Sequence, residues 1–134
     1  MRTRLLFLPP IMSAVCYLCL TATIARAQDP LVVNSSTIKL KFENERVRVM
    51  EATLPAGAKE QMHSHPAYVI YVLEGGRFRN YTPDGKTTEG EFKAGDVIYR
   101  TPITHAAENI GDKPTHLILV ELKDAAGAGT SPQR

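Results

Sequence analysis

Short segments separated by turn residues follow one another through the chain from residue 37 to residue 122. Each is roughly five to nine residues long and rich in apolar and β-branched side chains, as is typical of β-strands. No stretch beyond residue 37 has a competing helical periodicity. The predicted strands are 37–42, 46–54, 61–65, 68–73, 77–81, 86–92, 96–100, 105–109 and 116–122. This spacing predicts an all-β sandwich or barrel, and 134 residues leave room for one such domain.

A turn signature separates the strands predicted over 77–81 and 86–92. It consists of Pro83, Asp84 and Gly85 in sequence. Proline fixes φ at the value a turn needs, and glycine adopts the left-handed conformation without a steric penalty. We therefore expect a hairpin at this position.

The first 27 residues have the composition of a secretory signal peptide. Arg2 and Arg4 precede an apolar run over 11–24, and small residues then flank a cleavage position before Gln28. A transmembrane anchor is the alternative, but two prolines interrupt the segment and the remaining run is shorter than the roughly 20 residues that span a bilayer. We therefore expect cleavage after residue 27, a periplasmic or secreted product, and no membrane span after cleavage.

Removal of this leader changes the charge balance. The whole chain has 16 Lys and Arg against 14 Asp and Glu, which gives a formal net charge of +2. Three of the 16 basic residues, and no acidic one, lie in the leader, so the mature chain has a formal net charge of −1. The remaining charges are interspersed and form no basic stripe for a phosphate backbone. We expect no nucleic-acid partner.

Three histidines stand out as candidate metal ligands. On a strand, residues i and i+2 point to the same face, about 6.6 Å apart, so His63 and His65 could converge on one ion. His105 begins a later predicted strand and could supply a third imidazole. Three neutral imidazoles suit several divalent transition ions, and the spacing does not choose among them.

The residues around the first two histidines resemble a known family. Gly57 precedes His63 by five intervening residues, His65 follows, and the run 74–76 closes the segment with Glu-Gly-Gly. This pattern resembles the first motif of the cupins. More loosely, the runs 62–66, 72–76 and 83–86 together resemble small cupins named for β-alanine degradation.

A second segment resembles the second cupin motif. It contains Gly95, Asp96, Pro102, His105 and Asn109. The resemblance implies a single-domain cupin jelly-roll β-barrel, one metal ion held inside it by the three histidines, and commonly a homodimer. The domains implied are a signal peptide over 1–27, a linker over 28–36, the cupin domain over 37–123 and a disordered tail over 124–134.

The chain departs from the family pattern at one ligand. The first motif usually supplies a glutamate three or four residues after the second histidine, where this chain has Val69 and Ile70. Glu60 has the wrong strand parity relative to His63 to replace it, and Glu108 alternates away from His105. Three neutral imidazoles leave a divalent ion with its full charge, which predicts an anionic ligand.

Three further residues are candidates for the surroundings of the ion. Gln61 shares parity with His63 and is expected to orient the ligands or bind weakly as a fourth one, with a hydrogen bond to the backbone at a strand end as its alternative. Tyr71 is expected to line the cavity, although core packing is an alternative. Arg100 is expected to orient an anion through a bidentate contact, with a solvated strand end as its alternative. His116 has no partner motif and is assigned to the surface or to an interface.

These observations leave more than one function open. We expect an exported metal-binding cupin with one divalent transition metal (Fe, Mn, Ni or Zn) and a small anionic molecule as its ligand. An iron site favours a small dioxygenase, whereas a zinc site favours hydrolysis. A non-catalytic periplasmic module that binds a small molecule or a metal is the alternative, and a purely structural barrel is a third possibility.

Overall fold

The computed structural model describes residues 28–123 of the chain. This part contains nine β-strands and one helical turn. The predicted leader and the predicted tail lie outside the described residues. The elements are α1 (Pro30–Val33), β1 (Ile38–Glu43), β2 (Val47–Leu54), β3 (His63–His65), β4 (Tyr68–Glu74), β5 (Gly76–Tyr81), β6 (Thr87–Phe92), β7 (Val97–Arg100), β8 (Ile103–Asn109) and β9 (Thr115–Leu122). Each predicted strand is present, with its ends within two residues of the predicted ones.

The strands form two antiparallel sheets. One sheet has the order β1-β2-β9-β4-β7 and the other has the order β3-β8-β5-β6. Strands distant in sequence are neighbours in both sheets, as in a jelly roll. The all-β jelly-roll prediction is therefore confirmed.

The core follows from the alternation of side chains along the strands. Met50 pairs with Leu119, and Leu119 pairs with Ile70, so one inward-facing row crosses three strands of the first sheet. All three side chains are buried. Their neighbours along each strand face outwards, because successive strand residues point to opposite faces.

The segment predicted as a linker, 28–36, folds against the barrel. The Asp29 side chain accepts a hydrogen bond from the main-chain N–H of Leu31 and so caps α1, with Pro30 at its first position. Leu31 packs against the core, and Asn34 is buried. The residues that follow the predicted cleavage position therefore belong to the folded domain.

The predicted hairpin between β5 and β6 is present. Gly85 has φ of +80°, and the main chain closes with a hydrogen bond from Thr82 N–H to the Lys86 carbonyl oxygen. Asp84 accepts a hydrogen bond from the Thr82 hydroxyl.

Across residues 28–123, no helix is both long enough and apolar enough to cross a bilayer.

Candidate metal centre

Strand register brings the three candidate histidines together. β3 pairs antiparallel with β8, and His63 lies directly opposite His105. His65 is two residues further along β3 and faces the same side of the sheet. The intervening Ser64 pairs with Thr104, and their hydroxyl oxygens are 2.8 Å apart. The three imidazoles therefore share the face that points into the barrel.

The geometry of this cluster suits one metal ion. One nitrogen from each of His63, His65 and His105 lies within 4.8 Å of the others. The ring centroid of His63 lies 4.8 Å from that of His65 and 4.8 Å from that of His105. The centroids of His65 and His105 are 5.5 Å apart. All three side chains are buried. The described residues thus contain a three-histidine group compatible with a divalent metal.

Each imidazole is oriented through its Nδ1 atom. His65 Nδ1 lies 2.6 Å from Glu121 Oε1, and His105 Nδ1 lies 3.2 Å from the side-chain oxygen of Asn80. His63 Nδ1 is 2.8 Å from the Gln61 carbonyl oxygen. An acceptor at Nδ1 keeps the proton there and leaves Nε2 free as a ligand atom.

The state of His105 supports a metal in this position. Its Nε2 atom is the one buried side-chain nitrogen or oxygen in residues 28–123 that lacks a hydrogen-bond partner. A buried polar atom without a partner is costly, and a metal ion would satisfy it. Burial lowers the pKa of His105 to about 3 and that of His63 to about 4, which keeps both imidazoles neutral and able to ligate.

Glu60 lies in the site, contrary to the parity prediction. Its side chain is 7% exposed, and Oε2 is 3.9 Å from His63 Nε2. Strand parity fails here because β3 begins only at His63, so residues 60–62 do not alternate as a strand does. Burial raises the pKa of Glu60 to about 7. The site therefore contains a carboxyl group although the family's usual glutamate is absent. Glu60 precedes the two histidines in the sequence, whereas the family's glutamate follows them.

Gln61 takes part through its main chain and not through its side chain. The residue is exposed and does not line the cavity. Its carbonyl oxygen is the acceptor near His63 Nδ1, and its N–H donates to the Asn34 side-chain oxygen at 2.7 Å. The prediction of a glutamine side chain at the metal is therefore wrong. Any residue with the same backbone would provide these contacts.

The cavity tyrosine is Tyr68 rather than Tyr71. Tyr71 is 45% exposed on the outer face of β4, so its predicted place in the cavity is wrong. Tyr68, of opposite parity, is 3% exposed and stacks on His65 with ring centroids 4.6 Å apart. Burial raises the pKa of Tyr68 to about 12, so its hydroxyl keeps its proton.

Arg100 lines the same cavity as the three histidines. It lies opposite Tyr68 across the β4–β7 pair, at the end of β7. His116, by contrast, lies 2.7 Å from Glu51 and outside the cavity. The structure therefore places Arg100 at the site and keeps His116 away from it.

Glu121 is a site residue that the motifs did not reveal. It is 2% exposed, and it shares strand parity with the inward-facing Leu117 and Leu119 of β9. The sequence carries one signal for this role: Glu121 is an acidic residue among the inward-facing apolar positions of β9, and a buried charge needs a partner. Its partners are His65 and Arg48.

The cavity combines this polar cluster with apolar walls. Glu60, Tyr68 and Arg100 line it beside the three histidines, while Ile38, Ile70, Phe78, Phe92, Leu117 and Leu119 contribute its apolar surface. The space open to the centre of a water molecule is about 70 Å³. One water needs roughly 10–15 Å³ on this measure, so the cavity holds on the order of five waters or a small organic molecule.

A family model described as "Cupin domain" matches residues 50–121, which cover both β3 and β8 and therefore all three histidines. The chain belongs to the cupin-domain family. The comparison with curated proteins found no match. Membership agrees with the fold and with the three-histidine group, whereas the looser likeness to β-alanine degradation cupins is unconfirmed.

Several solved cupins have a similar fold. A cupin domain from Bordetella pertussis Tohama I is 26% identical with a TM-score of 0.59, over 64% of this chain and 91% of that one. A cupin-like protein from Thermotoga maritima MSB8 is 20% identical with a TM-score of 0.51, over 68% and 71% of the two chains. An RmlC-like cupin from Methanocaldococcus jannaschii is 17% identical with a TM-score of 0.51, over 64% and 80%.

Proposed function

We propose that this cupin is an exported, metal-dependent oxidoreductase of the dioxygenase type that acts on a small anionic organic molecule. One observation carries the proposal: Arg100 and Glu60 line the same small cavity as the three histidines, with the Arg100 charge acting on His105 and Glu60 Oε2 3.9 Å from His63 Nε2. A site that only stored a metal would not need a cation and a buried carboxylate beside the ligands. Export is proposed from the leader-like composition of residues 1–27.

The proposed role of Arg100 is to bind the anionic group of the substrate. An arginine side chain offers a planar fork of donors that matches a carboxylate or an enolate. Arg100 is partly exposed, and its charge acts on both Tyr68 and His105 inside the cavity. A substrate anion held there would lie close to the histidine cluster.

The proposed role of Glu60 is to accept a proton from the substrate at Oε2. Its position, 3.9 Å from His63 Nε2, lies beside the place where a ligand of the histidine cluster would bind. A general base must be within hydrogen-bond reach of the proton that it removes, directly or through one water. Loss of that proton would convert a carbonyl compound into its enolate, and the apolar walls would exclude bulk water from it.

His63, His65 and His105 would hold the metal through Nε2, and the ion is proposed to be Fe, Mn or Ni, since Zn, the fourth candidate, has no redox chemistry and would favour hydrolysis or binding alone. A bound divalent ion supplies Lewis acidity and open coordination positions, and as Fe(II) it supplies reactivity towards dioxygen. In a dioxygenase reaction, both atoms of O₂ enter the product and no further reductant is required. The Nδ1 partners keep the three ligand atoms directed into the cavity.

Replacement of Arg100 tests the proposed substrate class. We expect the iron-loaded protein to consume oxygen with members of a panel of small carboxylates and enolisable diketones. Arg100→Gln should lower kcat/KM about 10- to 100-fold, mainly through KM, because hydrogen bonds to a charged group contribute about 1.5–3 kcal/mol. An oxygen electrode measures both constants.

The matched control is Arg77→Gln, since Arg77 is 63% exposed and pairs with Glu89 outside the cavity. Equal losses in the two variants would contradict the role of Arg100. If protein loaded with each of the four metals binds the panel compounds but turns none over, the protein is a binding module instead.

We also propose that the protein is a homodimer through the outer face of β4 and β7. Four of the seven large apolar side chains exposed in residues 28–123 lie there, namely Tyr71, Leu73, Val97 and Tyr99. Val97 lies opposite Tyr71 across the strand pair, and β7 is an edge strand of its sheet. An apolar patch beside an unpaired edge is covered most simply by the same patch of a second copy around a twofold axis.

Light scattering after size exclusion tests this dimer. The wild-type protein should have twice the chain mass, and the double variant Val97→Lys/Tyr99→Lys should have the mass of one chain. Phe42→Lys is the control, because Phe42 is similarly exposed at 53% but lies on β1, at the opposite edge of the same sheet. A monomeric wild type, or a double variant that stays dimeric, would overturn the proposal.

A further inference from the structure

The segment that precedes β1 reaches the rear of the histidine cluster at three places. We call residues 28–34 the N-terminal strap. It contacts the backbone next to His63, the serine between the two histidines of β3, and an ion-pair chain that ends on His65. None of these contacts enters the cavity, so the N-terminal strap touches the ligands only from behind.

The first contact runs from Asn34 to His63. The Asn34 side chain donates to the Gln61 carbonyl oxygen at 3.1 Å and accepts from the Gln61 N–H at 2.7 Å. That carbonyl oxygen is the acceptor for His63 Nδ1, and Asn34 Nδ2 itself lies 2.9 Å from the same ring nitrogen. Asn34 is 4% exposed. It therefore fixes the position of the Gln61 carbonyl oxygen, the acceptor that orients the His63 ring.

The second contact runs from Asp29 to His65 through the half-buried Arg48 and the buried Glu121. Asp29 Oδ2 accepts from the Arg48 guanidinium at 2.7 Å. Arg48 donates to Glu121 Oε2 at 2.6 and 2.7 Å, and Glu121 Oε1 lies 2.6 Å from His65 Nδ1. The orientation of the Glu121 carboxylate, and with it that of the His65 ring, depends on where Arg48 is held.

The third contact covers the free edge of β3. Gln28 accepts from Ser64 twice, through its carbonyl oxygen at 2.9 Å from the Ser64 N–H and through Oε1 at 3.0 Å from the hydroxyl. β3 is the terminal strand of its sheet and only three residues long. Without Gln28, the Ser64 N–H on the outer side of β3 would lose its main-chain acceptor.

We propose that the N-terminal strap is a positioning element that sets the metal affinity of the site by orienting His63 and His65. The inference rests on the proposed metal function and adds to it a part of the chain outside the 50–121 family match. His105 provides an internal contrast, because its Nδ1 partner is Asn80 on β5 and not a residue of the strap. The strap therefore acts on two of the three ligands.

Two point variants of the whole mature chain test this role. Asn34→Ala removes the contacts behind His63. Asp29→Asn keeps an oxygen to cap α1 but removes the charge that holds Arg48. Partners that orient metal ligands typically change metal affinity 10- to 100-fold when removed, and we expect Asn34→Ala to lose affinity for Zn²⁺ and Co²⁺ in this range. Asp29→Asn should lose less, because Asp29 acts on His65 only through Arg48 and Glu121. Competition with a chromophoric chelator measures the affinity, and the Co²⁺ absorption spectrum should shift.

The control is Asn44→Ala. Asn44 also accepts main-chain hydrogen bonds, from Arg46 and Val47, but it lies in an exposed turn away from the site. Titrations are made well below the Tm of each apo variant, so that lost stability does not imitate lost affinity. Variants with a lower Tm but unchanged affinity would overturn the positioning role. A wild type that binds neither ion would instead overturn the proposed metal function together with it.

Discussion

A chain of residues 28–134 is expected to purify with close to one divalent transition ion per chain. The double variant His63→Ala/His105→Ala is expected to retain less than about a tenth of an equivalent, because one remaining imidazole cannot hold an ion against water. The two substitutions remove ligands from facing strands, so neither β3 nor β8 can rebuild the site alone. Elemental analysis of proteins purified identically measures the difference.

The matched control for this variant is His116→Ala. His116 contacts Glu51 outside the cavity, and its loss should leave the metal content unchanged. A double variant that still contains a full equivalent would show that the ion binds elsewhere. The identity of the ion also directs the next experiment, since iron calls for oxygen-consumption assays and zinc for hydrolytic ones.

Arg48→Ala is expected to lower the free energy of unfolding by about 3–5 kcal/mol, since it leaves a buried carboxylate without its cation. Arg48 is 14% exposed and donates twice to Glu121, whose side chain is 3% exposed. In the variant, Glu121 keeps only His65 as a partner among the side chains that contact it. Urea denaturation of the apo protein measures this loss without a contribution from metal binding.

Lys41→Ala provides the comparison for this prediction. Lys41 also pairs with a glutamate, Glu51, at 2.8 Å, but the lysine side chain is 52% exposed. Exposed ion pairs contribute only about 0–1 kcal/mol, so this variant should unfold close to the wild type. Similar losses in the two variants would contradict the importance of burial.

The fold was predictable because period-2 alternation is a local property of the chain. Each predicted strand is present, and the hairpin at Gly85 follows from its turn residues. The pairing of β3 with β8 is not local, because the two strands lie about 40 residues apart and their register depends on the whole barrel. Spacing suggested that His63 and His65 share a face, but only the register brings His105 opposite His63.

The errors in the site have the same physical origin. Parity arguments apply only inside a strand, and the strand that carries His63 starts later than the predicted 61–65, so Glu60 and Gln61 have the opposite orientations to those expected. Parity holds along β4, but the sequence alone did not show which of its faces lies inside, and Tyr68 therefore took the place assigned to Tyr71. No sequence pattern indicated that Asn34 belongs to the site, because its contact with Gln61 and His63 depends on tertiary packing.

The pairing of His63 with His105 also bears on the lifetime of the folded protein. An ion bound to both would act as a cross-link that closes a loop of about 40 residues, for which chain entropy gives a stabilisation of about 4 kcal/mol by analogy with a disulfide. Both cysteines of the sequence, Cys16 and Cys19, precede the described residues, so the barrel contains no cysteine with which to form a disulfide. The supply of the metal ion would then control the resistance of the protein to proteolysis. A shortage of the ion would lower the amount of folded protein.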